Sequence, residues 1–369
     1  MKKIVFMSSV HDVFDTRIFH KEAKTLKKAG YDVTLIAQHT KKEVINGIEI
    51  IPIDESNNRY KRFIKTVWEV LKKSFQVKGD IYHFHDPELI PIGLLLKLNG
   101  MKVIYDVHED VPKQIVSKEW IWKPIRGFVS KLASGMEKLA DKFFNAIVSA
   151  TPTIEKKFNN KNSIAVQNFP LLDELHISNS SENNKKKNIV TYVGSITKSR
   201  GIKEMVKAID ILSEDYDAKF LLAGKFTSKH LKDKTKKING WSKVEFQGWI
   251  DRKQVASNLS QAKAGLVVLH PKHRYKVSYP IKMFEYMTAG LPVIASDFPL
   301  WEEIIEGNEC GITVDPLDPK EIAEAIQYIF NHSEEAKRMG QNGRKIVEYK
   351  YNWSVEEKKL LNLYENILN

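Results

Sequence analysis

Short runs of β-branched residues alternate with amphipathic helical stretches twice over, once on each side of a wholly polar segment. No other feature restricts the fold as much. In the first half the runs are Ile4–Ser9, Val33–Ala37, Ile48–Ile53, Ile81–His85, Val103–Val107, Ala146–Ala150 and Ile164–Val166. Such alternation builds a parallel sheet wrapped by helices. Between the first two runs, Arg17–Lys28 places Ile18, Ala23 and Leu26 on one face and stops at Ala29-Gly30, which makes a βαβ unit. Asp86-Pro87 reads as a capped helix start, so His85 and Asp86 sit at a strand's carboxyl end. The segment Asn179–Asn188 (NSSENNKKKN) lacks any apolar residue and reads as a linker. Beyond it the rhythm restarts with Ile189–Val193, Phe220–Ala223, Val244–Phe246, Gly265–Leu269, Val293–Ala295 and Ile312–Val314, interleaved with helices such as Ile202–Leu212 and Lys320–Phe330. The expectation is α/β: two doubly wound, Rossmann-like domains, 1–178 and 189–353, facing each other across a cleft.

A length of 369 residues and a 42% hydrophobic content suit two such domains. The single cysteine, Cys310, excludes an intramolecular disulfide and a cysteine-rich zinc site, as expected of a reducing, cytoplasmic compartment. No apolar run approaches the ~20 residues that cross a bilayer. The net charge of +12 is concentrated early, with 28 Lys/Arg against 19 Asp/Glu in residues 1–170. A basic surface suits nucleic acid, anionic lipid or a phosphorylated ligand, and no nucleic-acid motif accompanies it.

Two motifs carry the chemistry. In Ser278–Pro292 (SYPIKMFEYMTAGLP) a helix opens at Pro280 and stops at Gly290, with Lys282 and Glu285 one turn apart. That spacing is either an ordinary surface ion pair or a cation and a carboxylate facing a ligand at a βα loop. In Val193–Gly201 (VGSITKSRG) a strand, a turn between two glycines and a helix start offer amides and Arg200 to a diphosphate. It is neither a P-loop nor a Gly-x-Gly-x-x-Gly fingerprint, so ATP and nicotinamide sites are not signalled.

With these stretches, the chain resembles a family 4 glycosyltransferase of the GT-B fold. The supporting residues are Asp15-Thr16-Arg17-Ile18 through Ala29–Val33, His83–Glu88, Tyr105–Glu109, Gly194–Gly201, Pro280-x-Lys282-x-x-Glu285-Tyr286-Met287 and Gly290-x-Pro292-Val293-Ile294. The resemblance implies that Glu285 binds the nucleotide ribose and that Arg200 and Lys282 neutralise the diphosphate. Gly194, Ser195, Pro280 and Ile281 complete the phosphate turn and helix entrance, while Gly224 and the turn with Trp249 and Ile250 frame the base. It places His108 near the anomeric centre and gives the acceptor side to Asp15, Arg17, His85, Asp86 and Glu109, with the loop Ser8–Arg17 closing over the sugar. The helix 354–369 would return to the first domain. The chain departs from the family at Val277, where members carry a glutamate, at Ser195 and at Ser8-Ser9.

The implied activity is retaining transfer of a hexose from a UDP- or GDP-sugar to a glycan or lipid-linked glycan in surface-polysaccharide synthesis. With Arg200 and Lys282 as the counter-charge to the phosphates, no metal ion or other cofactor is expected. The alternatives are a GT-B epimerase or phosphorylase and a non-catalytic subunit that binds a nucleotide sugar or a partner enzyme. His83-x-His85-Asp86 has the spacing of a metal pair, which the family pattern explains instead as a strand terminus. Two basic aromatic segments, Arg59–Lys78 and Lys113–Arg126, bear on location. The first reads as a helix packed on the sheet, and the second, with Trp120 and Trp122 among lysines, as peripheral contact with an anionic membrane at its inner face.

Overall fold

The computed structural model describes residues 1–54, 65–117, 121–175, 187–212 and 216–369. Contacts divide the chain into two units, Met1–Asn168 with Ser354–Asn369, and Phe169–Trp353.

Among its described residues the first unit is built on eight strands: β1 (Lys3–Asp12), β2 (Asp32–Gln38), β3 (Glu43–Ile45), β4 (Ile48–Ile53), β5 (Ile81–Phe84), β6 (Lys102–Val107), β7 (Ala146–Ser149) and β8 (Ser163–Ala165). Their order across the sheet is β3-β4-β2-β1-β5-β6-β7-β8. Every neighbouring pair is parallel except β3 with β4. That antiparallel hairpin turns on Asn46 and Gly47, both at positive φ, the conformation a two-residue turn requires. The first helix opens as a π-turn, Ile18–Ala23, before continuing as an α-helix over Lys24–Lys28. Its wider turn buries Lys21 and Glu22 along with Ile18, Phe19 and Ala23.

The second unit holds β9 (Ile189–Val193), β10 (Lys219–Ala223), β11 (Val244–Gly248), β12 (Ala264–Val267), β13 (Val293–Ser296) and β14 (Gly311–Val314) in the order β11-β10-β9-β12-β13-β14, all parallel. Alternate residues feed two cores: Val190, Tyr192, Phe220, Leu222 and Ile294 face one layer of helices, while Leu221, Val267, Val293 and Ala295 face the other. Burial on both faces is what a parallel sheet demands. The strand order reverses between β9 and β12, and ligands of open α/β sheets bind at that switch point. Both units are therefore the doubly wound domains the sequence implies.

Several details differ from expectation. The division falls at Asn168/Phe169 rather than 178/179, because Phe169 packs on Phe284 and Tyr351 with ring centroids 4.8 and 5.3 Å apart. Most of the expected linker 179–188, its residues 179–186, lies outside the described residues, as do residues 59–64 and Trp120 of the basic aromatic segments. Asp86 precedes a 3₁₀ turn, Pro87–Leu89, without capping it, since its carboxylate is bonded instead to Ser8 and Ser9. The described part of the first basic segment is the helix Val67–Val77, which buries Val70 and Ser74 but leaves Trp68 and Phe75 exposed. Among the described residues no helix is long and apolar enough to cross a membrane.

Candidate functional site

In the second unit the ends of β9, β10 and β11 are drawn together by their own backbones. The Gly194 N–H donates to Ala223 O at 3.0 Å, and the Gly224 N–H donates to Gly248 O at 2.6 Å. A Cβ built on Gly224 would stand 1.8 Å from Gly194 O, so no side chain fits where these turns meet. Gly194 itself has φ +131, and a Cβ there would lie 2.9 Å from Lys282 Nζ and 3.8 Å from Arg200 Nη1. The fold thus gathers the glycine turn, the arginine and the lysine at one point, on the switch of the sheet.

Lys282 belongs to the first turn of the helix Ile281–Thr288, with Pro280 as its N-cap. Its Nζ is buried, has no hydrogen-bond partner among the described residues, and sits 3.5 Å from the centroid of the Tyr192 ring. Burial and then the neighbouring Arg200 push its ammonium well below the usual lysine range. Arg200 closes the 3₁₀ turn Lys198–Arg200, and its Nη1 donates to Ser195 O at 3.2 Å. Burial opposes its charge, but the hydroxyls of Tyr192 and Tyr275 outweigh burial and hold its pKa above the ordinary value. Tyr275 is itself bonded by Arg274 Nη2 at 2.9 Å and lies 3.2 Å from Ser199 Oγ. Gly201, at φ +67, starts the helix Ile202–Ile211, whose first amides adjoin the same turn.

Glu285 is not an ion-pair partner of Lys282. Its Oε1 accepts from Arg252 Nη1 at 2.6 Å, and the reading of Lys282 and Glu285 as a surface pair fails because the lysine is turned inward. Arg252 is placed by the helix Arg252–Gln261, fixed by a capping box between Asp251 and Gln254. Trp249 is 80% exposed and Ile250 packs on the core beside it. Ser195 contributes its backbone carbonyl, which also accepts from Tyr192 Oη at 2.8 Å.

In the first unit the sequence-designated residues gather at the carboxyl ends of β1, β5 and β6. Arg17, assigned to a closing acceptor loop, is instead buried. Its Nε and Nη2 donate to Asp106 at 2.8 and 3.0 Å, and its Nη1 to Val166 O at 2.7 Å. It precedes the π-turn as its N-cap and is directed into the interior, where it binds Asp106 and Val166. His85 is buried too, its Nδ1 3.1 Å from Asp106 Oδ2. Asp86 accepts from Ser8 Oγ at 2.8 Å and the Ser9 amide at 2.7 Å, which binds the serine pair to the end of β5. Asp15 accepts the Arg17 and Ile18 amides at 2.8 and 3.0 Å. Burial would raise its carboxyl, but bonds from His11 and these amides hold it well below the usual range. His108 follows β6 with its side chain 22% exposed and its Nε2 3.1 Å from Asp106 Oδ2. Glu109 is exposed and accepts from Gln114.

The metal-like spacing at His83 and His85 acquires a fuller set here: Glu22, His83, His85 and Asp106 bring ligand atoms within 4.8 Å of one another. The Arg17 Nε stands against both carboxylates of that set, 2.9 Å from Glu22 and 2.8 Å from Asp106. Sequence reasoning missed Glu22, Tyr192, Tyr275 and Arg252, and gave Asp106 no role. Burial of Tyr192 follows from strand alternation, but the others have no local signal. Cys310 is buried and burial pushes its thiol up to about 12, which makes it inert.

The sequence profile of glycosyl transferases group 1 matches residues 173–346, and that of glycosyltransferase family 4 matches residues 16–165. An uncharacterized glycosyltransferase of Methanocaldococcus jannaschii is 23% identical, with 93% of this chain and 92% of that protein covered. A sucrose-phosphate synthase from Thermosynechococcus elongatus has a TM-score of 0.79 at 21% identity, covering 100% of this chain and 99% of that one. Anabaena HepE, solved with UDP and glucose, has a TM-score of 0.75 at 11% identity, covering 99% of this chain and 100% of that one. At these identities the structural likeness is one of fold.

Proposed function

Because the chain belongs to the family 4 glycosyltransferases and has the GT-B fold, we propose that it moves a hexose from a UDP- or GDP-sugar to a glycan or lipid-linked glycan in surface-polysaccharide synthesis. The observation that carries this reading is the buried Lys282 ammonium, without a hydrogen-bond partner among the described residues, set against the Gly194 turn and Arg200. Two cations and a helix start in one place suit a diphosphate. Breaking the bond between sugar and diphosphate puts charge on the leaving oxygen, and Lys282 and Arg200 stabilise that charge as it forms. Glu285, fixed by Arg252, takes the ribose hydroxyls, and His108 takes a hydroxyl of the transferred sugar. These cations meet the phosphate charge without a metal. The leaving phosphate accepts the acceptor's proton, so no protein base is needed, and transfer retains the anomeric configuration, as the family resemblance implies. The HepE complex with UDP and glucose supports a nucleotide-sugar donor on this fold.

A lipid-linked acceptor brings the chain to the inner face of a membrane. Trp122, 71% exposed, precedes the helix Arg126–Phe143, which leaves Phe128 and Leu132 in solvent beside Lys123, Arg126 and Lys131, a composition suited to anionic headgroups.

A thermal-shift panel of UDP, GDP and their sugars, followed by product analysis with and without a glycan acceptor in EDTA, tests the reading. UDP or GDP should raise the melting temperature, and the product should carry the donor's anomeric configuration. No shift with any nucleotide ends it. An epimerised sugar product formed without acceptor assigns an epimerase, and binding without transfer or donor hydrolysis a non-catalytic subunit.

A further inference from the structure

The interior of the first unit holds two acids, one guanidinium and several imidazoles, where charge has to balance out of reach of bulk water. Arg17 stands between the acids. Its Nε is 2.8 Å from Asp106 Oδ2 and 2.9 Å from Glu22 Oε1, but Nε carries a single hydrogen, and that hydrogen is directed at Asp106. The remaining donors are shared just as unequally. Asp106 also faces Arg17 Nη2 at 3.0 Å, His85 Nδ1 at 3.1 Å and His108 Nε2 at 3.1 Å. Among the described residues neither buried oxygen of Glu22 receives a hydrogen bond, and its carboxyl faces that of Asp106.

We propose that the two acids are unequal, Asp106 being the charged carboxylate that positions His108 and Glu22 the acid that keeps its proton. One guanidinium then balances one carboxylate, and the cluster is neutral. Burial, reinforced by the Asp106 charge and against the pull of Arg17, drives the Glu22 carboxyl well above the ordinary range. Arg17 and the two imidazoles outweigh burial at Asp106 and hold it well below. Burial takes His85 down to about 4, so it stays neutral and gives its Nδ1 hydrogen to Asp106. The other groups facing the cluster are His11 at the end of β1, Asp15 after it, Asp86 after β5, and His83, whose Nδ1 lies 2.7 Å from Tyr364 Oη.

The consequence falls on His108. An anionic Asp106 takes the hydrogen on Nε2 and leaves the lone pair on Nδ1, so the ring presents a hydrogen-bond acceptor. The purpose of that acceptor, a sugar hydroxyl, rests on the transferase reading; the tautomer does not.

The test uses the full chain at pH 7.5, with the His108 tautomer read by ¹⁵N imidazole NMR. In the parent and in Glu22→Gln it should be Nε2–H. The infrared difference between parent and Glu22→Gln should show one protonated carboxyl lost. Asp106→Asn should mix the His108 tautomers and lower kcat by about tenfold or more, with donor KM changed by no more than about twofold. A parent without the protonated carboxyl band, or with Nδ1–H on His108, overturns the proposal. If Asp106→Asn does not fold, the infrared and Glu22→Gln arms decide alone. If no transfer is found, the function fails while both spectroscopic arms still judge the cluster.

Discussion

An ammonium buried beside a guanidinium is kept there against its own electrostatics, and Lys282 shows what such an arrangement is for. Among the described residues nothing hydrogen-bonds its Nζ, and the Tyr192 ring is a modest substitute for water. With a native pKa below the unfolded lysine value of about 10.4, the unfolded chain binds the proton more readily than the native one. Lys282 therefore costs the ligand-free protein stability below that value, and the cost shrinks as pH rises toward it. Lys282→Met should leave the ligand-free melting temperature unchanged or higher. The same variant should weaken UDP or GDP by roughly 10- to 150-fold, the loss of one charge-assisted bond of about 1.5–3 kcal/mol. A bound diphosphate restores the charged form, so binding takes up a proton and affinity falls as pH rises between the free and bound values. Calorimetry in two buffers of different ionisation enthalpy should find that uptake in the parent and none in Lys282→Met. A destabilised apo variant that binds nucleotide normally would assign Lys282 to the core instead.

At the scale of elements, the donor site is made of strand ends that approach too closely for side chains. Gly224 has φ +140 and a virtual Cβ 1.8 Å from the Gly194 carbonyl, so Gly224→Ala must part β9 from β10 at the point where Lys282 and Arg200 converge. The expected cost is about 2–4 kcal/mol in urea unfolding, with loss of the nucleotide-induced thermal shift. Gly290→Ala is the control: its φ is +70, but nothing lies within 4 Å, and about 1–2 kcal/mol with normal binding is expected. Equal costs at the two positions would count against the close approach. Strand periodicity made most of these elements readable, since residues such as Leu221 and Leu222 must serve opposite cores. The β3–β4 hairpin went unread although Asn46-Gly47 is its local signal. Asp86 misled because a capping aspartate and one recruited by Ser8 and Ser9 have the same sequence appearance.

For the whole chain, what sequence could not show is which distant residue supplies each partner. Arg17, Lys282 and Glu285 were all legible as chemistry, yet Asp106, Tyr192 and Arg252 complete them from 89, 90 and 33 positions away. The last helix, Trp353–Leu368, is the longest such link. From Ser354 onward it belongs with the first unit: Glu356 accepts the Gln167 amide at 2.9 Å, Glu357 accepts from Thr25 Oγ1 at 3.2 Å, and Tyr364 Oη meets His83. Leu360 and Tyr364 are fully buried. Tyr364→Phe should therefore lower stability by about 1–2 kcal/mol, since His83 Nδ1 is left buried without a partner. Deleting residues 354–369 should do far more, because it uncovers an apolar face as well as these bonds. Calorimetry should then show the first unit's transition lost, while a transition shifted upward by nucleotide persists from Phe169–Trp353, whose cores the deletion leaves complete. Two intact transitions after the deletion would mean the helix is an appendage, and the first unit would have to be redrawn to end at Asn168.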